Sequence, residues 1–97
     1  MHDFSIKLMK KYLITYDLKD ANRNYNDLYN VIKDFGDVQH PLESTWVVKT
    51  DTYTANTISD MLLEKMDKYD SLFVIRVDST VEHQGWLPKS FWEWFKS

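Results

Sequence analysis

The stretch that decides the fold is Lys11–Gly36, KYLITYDLKDANRNYNDLYNVIKDFG, in which a strand pattern passes into a helix pattern. Residues 12–17 alternate in facing direction and are rich in β-branched and aromatic side chains, so they predict a strand that ends at Asp17. Apolar side chains then recur at helical spacing over residues 25–35, asparagines stand before them as caps, and Gly36 ends the pattern. The stretch therefore predicts a strand followed by a helix.

The middle of the chain predicts a hairpin and a second helix. Residues 37–50 contain two short β-like runs around a proline, and the second run, residues 44–50, is the better strand. Residues 52–70 return to helical spacing of apolar side chains, with Thr52 or Thr54 available as the cap.

The last core element is SLFVIRVD, residues 71–78, whose nearly continuous apolar run predicts a strand in a central position. The order strand, helix, strand, strand, helix, strand is the split βαβ arrangement of ferredoxin-like folds. Right-handed crossovers then place both helices on one face of an antiparallel sheet. We predict an α+β, ferredoxin-like domain at residues 11–80, an N-terminal extension at residues 1–10, and an aromatic tail at residues 81–97 that packs on the sheet or on a dimer partner.

The amino-acid composition excludes several classes of function. The chain has 97 residues and a formal net charge of −3, which suits one small domain and excludes a protein that binds nucleic acid through overall positive charge. No cysteine is present, so neither a disulfide framework nor a thiolate metal site can form. No apolar run reaches membrane-spanning length, and the first residues do not resemble a signal peptide. These features predict a cytoplasmic protein that does not associate with a membrane.

The tail GWLPKSFWEWFKS concentrates aromatic side chains, and Pro88 suits the first turn of a short helix there. Its rings either dock on the open face of the chain's own sheet or form a contact between subunits, because aromatic residues dominate interface cores. The predicted interface residues are Trp86, Phe91, Trp94 and Phe95. Trp46, in the middle of a predicted strand, either belongs to the core or stacks on an unpaired base.

Asp17 and Arg23 admit two interpretations each. A carboxylate at a strand end can hold a hard cation such as Mg²⁺, which keeps several waters and needs few protein ligands, or it can simply start a turn. Arg23 can clamp a phosphate with its planar fork, or it can form a surface ion pair with Asp20 or Asp27.

Several short motifs together resemble the SinR-like proteins and, more distantly, the superfamily of small CRISPR-associated adaptation endonucleases and virulence-associated protein D toxins. They are the strand YLITYDL ending in Asp17, Arg23 six residues later, the helix ending in DFG, the return strand LESTWVVKT and the last core strand LFVIRVD. The similarity covers about Lys11 to Trp86.

The resemblance implies a ferredoxin-like homodimer. In the adaptation proteins, the aspartate that closes the first strand meets its two-fold mate, and the pair can hold a divalent cation for phosphodiester cleavage. Asp17 is the matching position, and so is the candidate catalytic and metal-binding residue. The candidate nucleic-acid-binding residues are Lys10, Lys11, Lys19 and Arg23, although acidic residues interleave with them here.

We therefore expect a small cytoplasmic homodimer that acts as an interaction or nucleic-acid-associated module. One alternative is a Mg²⁺- or Mn²⁺-dependent endonuclease that cleaves RNA or DNA through paired Asp17 residues. Another is a mobile-element or toxin–antitoxin protein that binds a second protein, a hypothesis that rests on its aromatic tail and on its acidic second helix. The acidic positions of that segment are Asp60, Glu64, Asp67 and Asp70.

Overall fold

The computed structural model describes residues 9–97, so the predicted extension lies almost wholly outside the described residues. The elements follow the predicted order. They are β1 (Lys10–Asp17), α1 (Asn26–Asp34), β2 (Asp37–Leu42), β3 (Thr45–Thr50), α2 (Ala55–Leu63), β4 (Ser71–Val77) and α3 (Lys89–Lys96).

Four antiparallel strands form one sheet in the order β2-β3-β1-β4. This topology confirms the predicted α+β, ferredoxin-like class. The prediction of a central place for β4 is wrong, because β4 pairs only with β1 and lies at the edge of the sheet. Its burial alternates along the strand: Leu72 and Val74 pack toward the helices, whereas Phe73 and Ile75 on the opposite face are exposed. The run is nearly continuous because both faces of β4 carry apolar side chains, although only the face toward the helices is covered.

The main core lies between the sheet and the helices α1 and α2. Ile14 and Val48 supply the sheet side, and Leu28, Ile32 and Leu62 supply the helix side, all of them inaccessible to solvent. From residue 12 onward, every second residue of β1 is buried in this core, as the alternation of residues 12–17 predicts.

Side-chain hydrogen bonds define both ends of α2. Thr54 caps α2 through a reciprocal capping box with Thr57, which satisfies donors at the helix start. The same helix ends at Leu63, earlier than the apolar spacing predicts, because a turn held by the Asp70 carboxylate replaces its last predicted turns.

Gly36 joins α1 to β2 at a point where no side chain fits. Its φ is 159°, and a Cβ on this residue would collide with the backbone carbonyl oxygen of Lys49 on β3. The close approach lets β2 enter the sheet directly after the helix, and only glycine allows it.

The C-terminal helix α3 covers part of the sheet face that α1 and α2 leave open. Phe91 and Phe95 are buried there against Val47 of β3, with Val77 and Leu87 packed around them. The tail therefore docks on its own sheet and forms a second, smaller core.

Within residues 9–97, no helix combines the length and the apolar character that crossing a membrane requires.

Candidate functional site

Asp17 is the last residue of the central strand β1, where its side chain is exposed between two shallow grooves. One groove, of about 310 Å³, lies toward α1 and the β2–β3 turn and is also lined by Tyr29 and Glu43. The other, of about 270 Å³, lies toward β4 and is also lined by Ser71 and Phe73. Asp17 therefore marks one end of the open sheet face.

The Asp17 carboxylate pairs with the Lys19 ammonium at 2.6 Å, and both side chains are more than half exposed. The hydrogen bond and the charge of Asp17 raise the pKa of Lys19. Among residues 9–97, no three histidine, cysteine, aspartate or glutamate side chains come together as a cation site. One chain therefore presents too few carboxylates at this position to hold a resident metal by itself.

The four candidate nucleic-acid-binding residues do not converge within one chain. Lys10 and Lys11 begin β1, whereas Lys19 and Arg23 follow its other end. A strand of eight residues spans about 25 Å, so two pairs of charges stand at opposite ends of the sheet.

Arg23 is held by the loop that follows α2. Its guanidinium donates to the Lys65 carbonyl oxygen at 3.1 Å and lies 3.7 Å from the Asp67 carboxylate. It also stands over the Tyr25 ring at 5.4 Å. The ion pair that the sequence allows does form, but its partner is Asp67 instead of Asp20 or Asp27.

Asp70 joins the loops at this end of the sheet, and sequence reasoning assigned it only to an acidic surface. Its carboxylate accepts the Lys19 and Asp67 backbone N–H groups, each at 2.7 Å, and the Tyr25 hydroxyl at 2.9 and 3.1 Å. Burial acts to raise the pKa of Asp70, but these hydrogen bonds outweigh it and lower the pKa. Asp67 and Asp70 are thus structural acceptors, and the exposed acids Asp60 and Glu64 remain on that side.

Trp46 belongs to the core, so it is not a free surface for stacking on a base. It is buried on the helix side of the sheet, where its Nε1–H donates to the Tyr16 hydroxyl at 2.9 Å. Burial raises the pKa of Tyr16, and this hydrogen bond partly counters it. The His40 ring stacks on Trp46 with centroids 3.7 Å apart and closes the outer side of the indole.

The four predicted interface residues have different surroundings. Phe91 and Phe95 are buried within their own chain. Trp94 is half-buried, and its Nε1–H donates to Asp37 at 2.8 Å. Trp86 is 99% exposed in the segment that leads into α3.

A buried lysine lies under the tail, and sequence reasoning did not single it out. Lys49 of β3 stands opposite Lys11 of β1, and its ammonium lies 4.4 Å from the Trp94 ring centroid. It also contacts the Ser97 hydroxyl. Burial lowers the pKa of Lys49, and the nearby positive charge of Lys11 lowers it further.

An apolar cavity of about 220 Å³ opens where the tail meets the sheet. Its walls come from β1, the β2–β3 hairpin, the end of β4 and α3, and its polar lining residues are Thr45, Glu82 and His83. Leu13, Leu42, Val81 and Leu87 supply part of its apolar lining. The cavity continues into the uncovered sheet face, because Leu13 pairs across the strands with Ile75.

Neither a protein-family model nor a curated protein matches the chain. Among solved structures, the chain is similar to the crystal structure of a hypothetical protein, TT1823, from Thermus thermophilus. The two are 23% identical with a TM-score of 0.61, over 82% of this chain and 95% of the other. This similarity shows the fold alone.

Proposed function

We propose that this protein is a cytoplasmic homodimeric interaction module that joins a second copy through the uncovered part of its sheet and associates with nucleic acid. The observation that carries the dimer is the exposure of Phe73 and Ile75, which are 57% and 44% accessible on the face that the helices do not cover. They stand opposite Thr15 and Leu13 of the central strand. Contiguous apolar surface of this kind marks an association site.

The same geometry favours Asp17 as the functional carboxylate of such a dimer. Asp17 and Phe73 line one groove, so a second copy that covers Phe73 brings its own Asp17 to the rim of the same interface if the contact is two-fold. The two Asp17 carboxylates, one from each chain, could then act together as ligands of a divalent cation. This observation supports the second candidate function, a Mg²⁺- or Mn²⁺-dependent endonuclease.

The experiment combines oligomeric state, binding and cleavage. Sedimentation over a wide range of concentrations should show a dimer that Phe73→Ser weakens and that Tyr69→Ala, a change at an exposed aromatic residue outside the sheet, leaves intact. Labelled RNA and DNA at low salt should bind, with affinity that falls steeply as salt rises. A monomer at all concentrations would refute the proposed module.

Cleavage is tested on the same oligonucleotides with Mg²⁺ or Mn²⁺, for wild type, Asp17→Ala and the matched control Asp60→Ala. Asp60 is an exposed acid on α2, so this change removes the same charge elsewhere. Cleavage lost only in Asp17→Ala would establish the endonuclease. A dimer that neither binds nor cleaves nucleic acid would contradict the nucleic-acid role and direct the search to a protein partner.

A further inference from the structure

We infer that the dimer is anchored by Trp86, whose indole ring enters the apolar cavity of the second copy while the second copy's Trp86 enters the cavity of the first. This inference rests on the homodimer proposed above and specifies its contact. It uses a fully exposed aromatic side chain and an apolar cavity that is lined by the next residue along the chain, Leu87. Adjacent knob and hole on one molecule are what a reciprocal two-fold contact needs.

The cavity has the size and the chemistry for an indole ring. A cavity of about 150 Å³ takes a benzene ring, and this one measures about 220 Å³. A water molecule in the cavity would find few hydrogen-bond partners, because few polar groups line the cavity. Glu82 is one of these few polar residues, and its carboxylate can accept the N–H of an indole ring that enters the cavity.

Trp86 cannot easily fill the cavity of its own chain. Its neighbour Leu87 already lines that cavity. Leu87 precedes Pro88, which holds it in an extended conformation, and neighbouring side chains of an extended segment point in opposite directions. Trp86 is therefore directed outward, as its 99% exposure shows.

The loop that carries Trp86 packs against the Trp92 ring of α3. The Gly85 backbone lies near the Trp92 ring, where an added Cβ would make an ordinary van der Waals contact of 3.5 Å with the ring carbons. The Trp92 ring is in turn stacked on His83, with centroids 5.7 Å apart. A ring carried by a loop that packs against its own chain loses less conformational entropy on binding than a ring on an unpacked segment.

The area of the surrounding surface suits a second copy. Phe73, Ile75, Val81 and Leu42 are each between 44% and 57% exposed, and they surround the cavity or continue its sheet wall. Together with Trp86 they offer roughly 600 Å² of side-chain surface per copy, close to the ~800 Å² per partner of a standard interface.

The test measures the dimer dissociation constant by sedimentation equilibrium for four proteins. Trp86→Ala removes the anchor, and Val81→Phe narrows the cavity at an exposed position, so each should raise the dissociation constant at least about 30-fold. Tyr69→Ala removes another exposed aromatic ring, in the loop before β4, and should leave the constant within about twofold of wild type. Circular dichroism checks that the exposed substitutions leave the fold unchanged.

A second readout follows the ring itself. With 5-fluorotryptophan incorporated, the ¹⁹F resonance of Trp86, assigned by its loss in Trp86→Phe, should shift as the wild-type protein dimerises and stay fixed in Val81→Phe. A Trp86→Ala protein that dimerises like wild type overturns the anchor and leaves the proposed dimer standing. A Trp86 resonance that ignores concentration while the protein dimerises also overturns it. A wild-type protein that remains monomeric overturns the proposed function and this inference together.

Discussion

Replacing Asp70 by alanine should destabilise the fold far more than its place in an acidic segment suggests. The substitution leaves two backbone donors, the N–H groups of Lys19 and Asp67, without the acceptor that they now reach at 2.7 Å. A hydrogen bond to a charged group contributes about 1.5–3 kcal/mol to stability. Because Asp70 is partly exposed and water can replace some of the lost interaction, we expect a contribution of about 1 kcal/mol from each of the two bonds. The Tyr25 hydroxyl loses its partner as well.

The expected loss of unfolding free energy is therefore at least about 2 kcal/mol, which lowers the Tm of a domain of this size by roughly 8–16 °C. Urea unfolding at pH 7, followed by circular dichroism, measures it. Asp60→Ala is the control, because it removes the same charge from an exposed position on α2. Its stability should stay within about 0.5 kcal/mol of wild type.

The pH dependence of stability tests independently whether the ionised form of Asp70 stabilises the fold. The pKa of folded Asp70 lies below its ordinary value, so the unfolded state binds more protons in acid. The stabilisation is complete above an unfolded pKa of about 4 and is lost as the pH falls through the lower, folded pKa. The difference between wild type and Asp70→Ala should thus shrink below about pH 4. Equal stability of Asp70→Ala and Asp60→Ala at pH 7 would refute the structural role.

Three further substitutions test other parts of the structure. Gly36→Ala should cost about 2–4 kcal/mol in urea unfolding, because its Cβ collides with the Lys49 carbonyl oxygen; a cost below about 1 kcal/mol would contradict that close approach. Asp17→Ala should change the Tm by no more than about 4 °C, since Asp17 is exposed, so a larger drop in calorimetry would show a structural role. Trp46→Phe removes the donor to the Tyr16 hydroxyl, so the pKa of Tyr16 should rise further in ultraviolet titration; an unchanged or lower value would oppose the assigned hydrogen bond.

The local patterns of the chain predicted most of the architecture. Alternation in residues 12–17 and the helical spacing before Gly36 are properties of neighbouring residues, and both appear as predicted. The two β runs also form, but Pro41 lies within the edge strand β2 and not between the runs, because an edge strand tolerates a residue without an N–H. The order of the elements then restricted the fold to the ferredoxin-like class, because short right-handed connections leave few alternatives. The place of Asp17 at the end of β1 also follows from this local pattern, whereas its exposure is known from the structure.

The tertiary structure alone decided which surfaces are covered. An apolar run such as residues 71–77 is compatible with a central strand and with an edge strand, and only the pairing of distant strands places it at the edge. The tail shows the same limit: Phe91, Phe95 and Trp86 are equally apolar in the sequence, yet two are buried and one is fully exposed. Burial depends on contacts between residues far apart in the chain, whereas sequence periodicity reports only which residues share a side of one element.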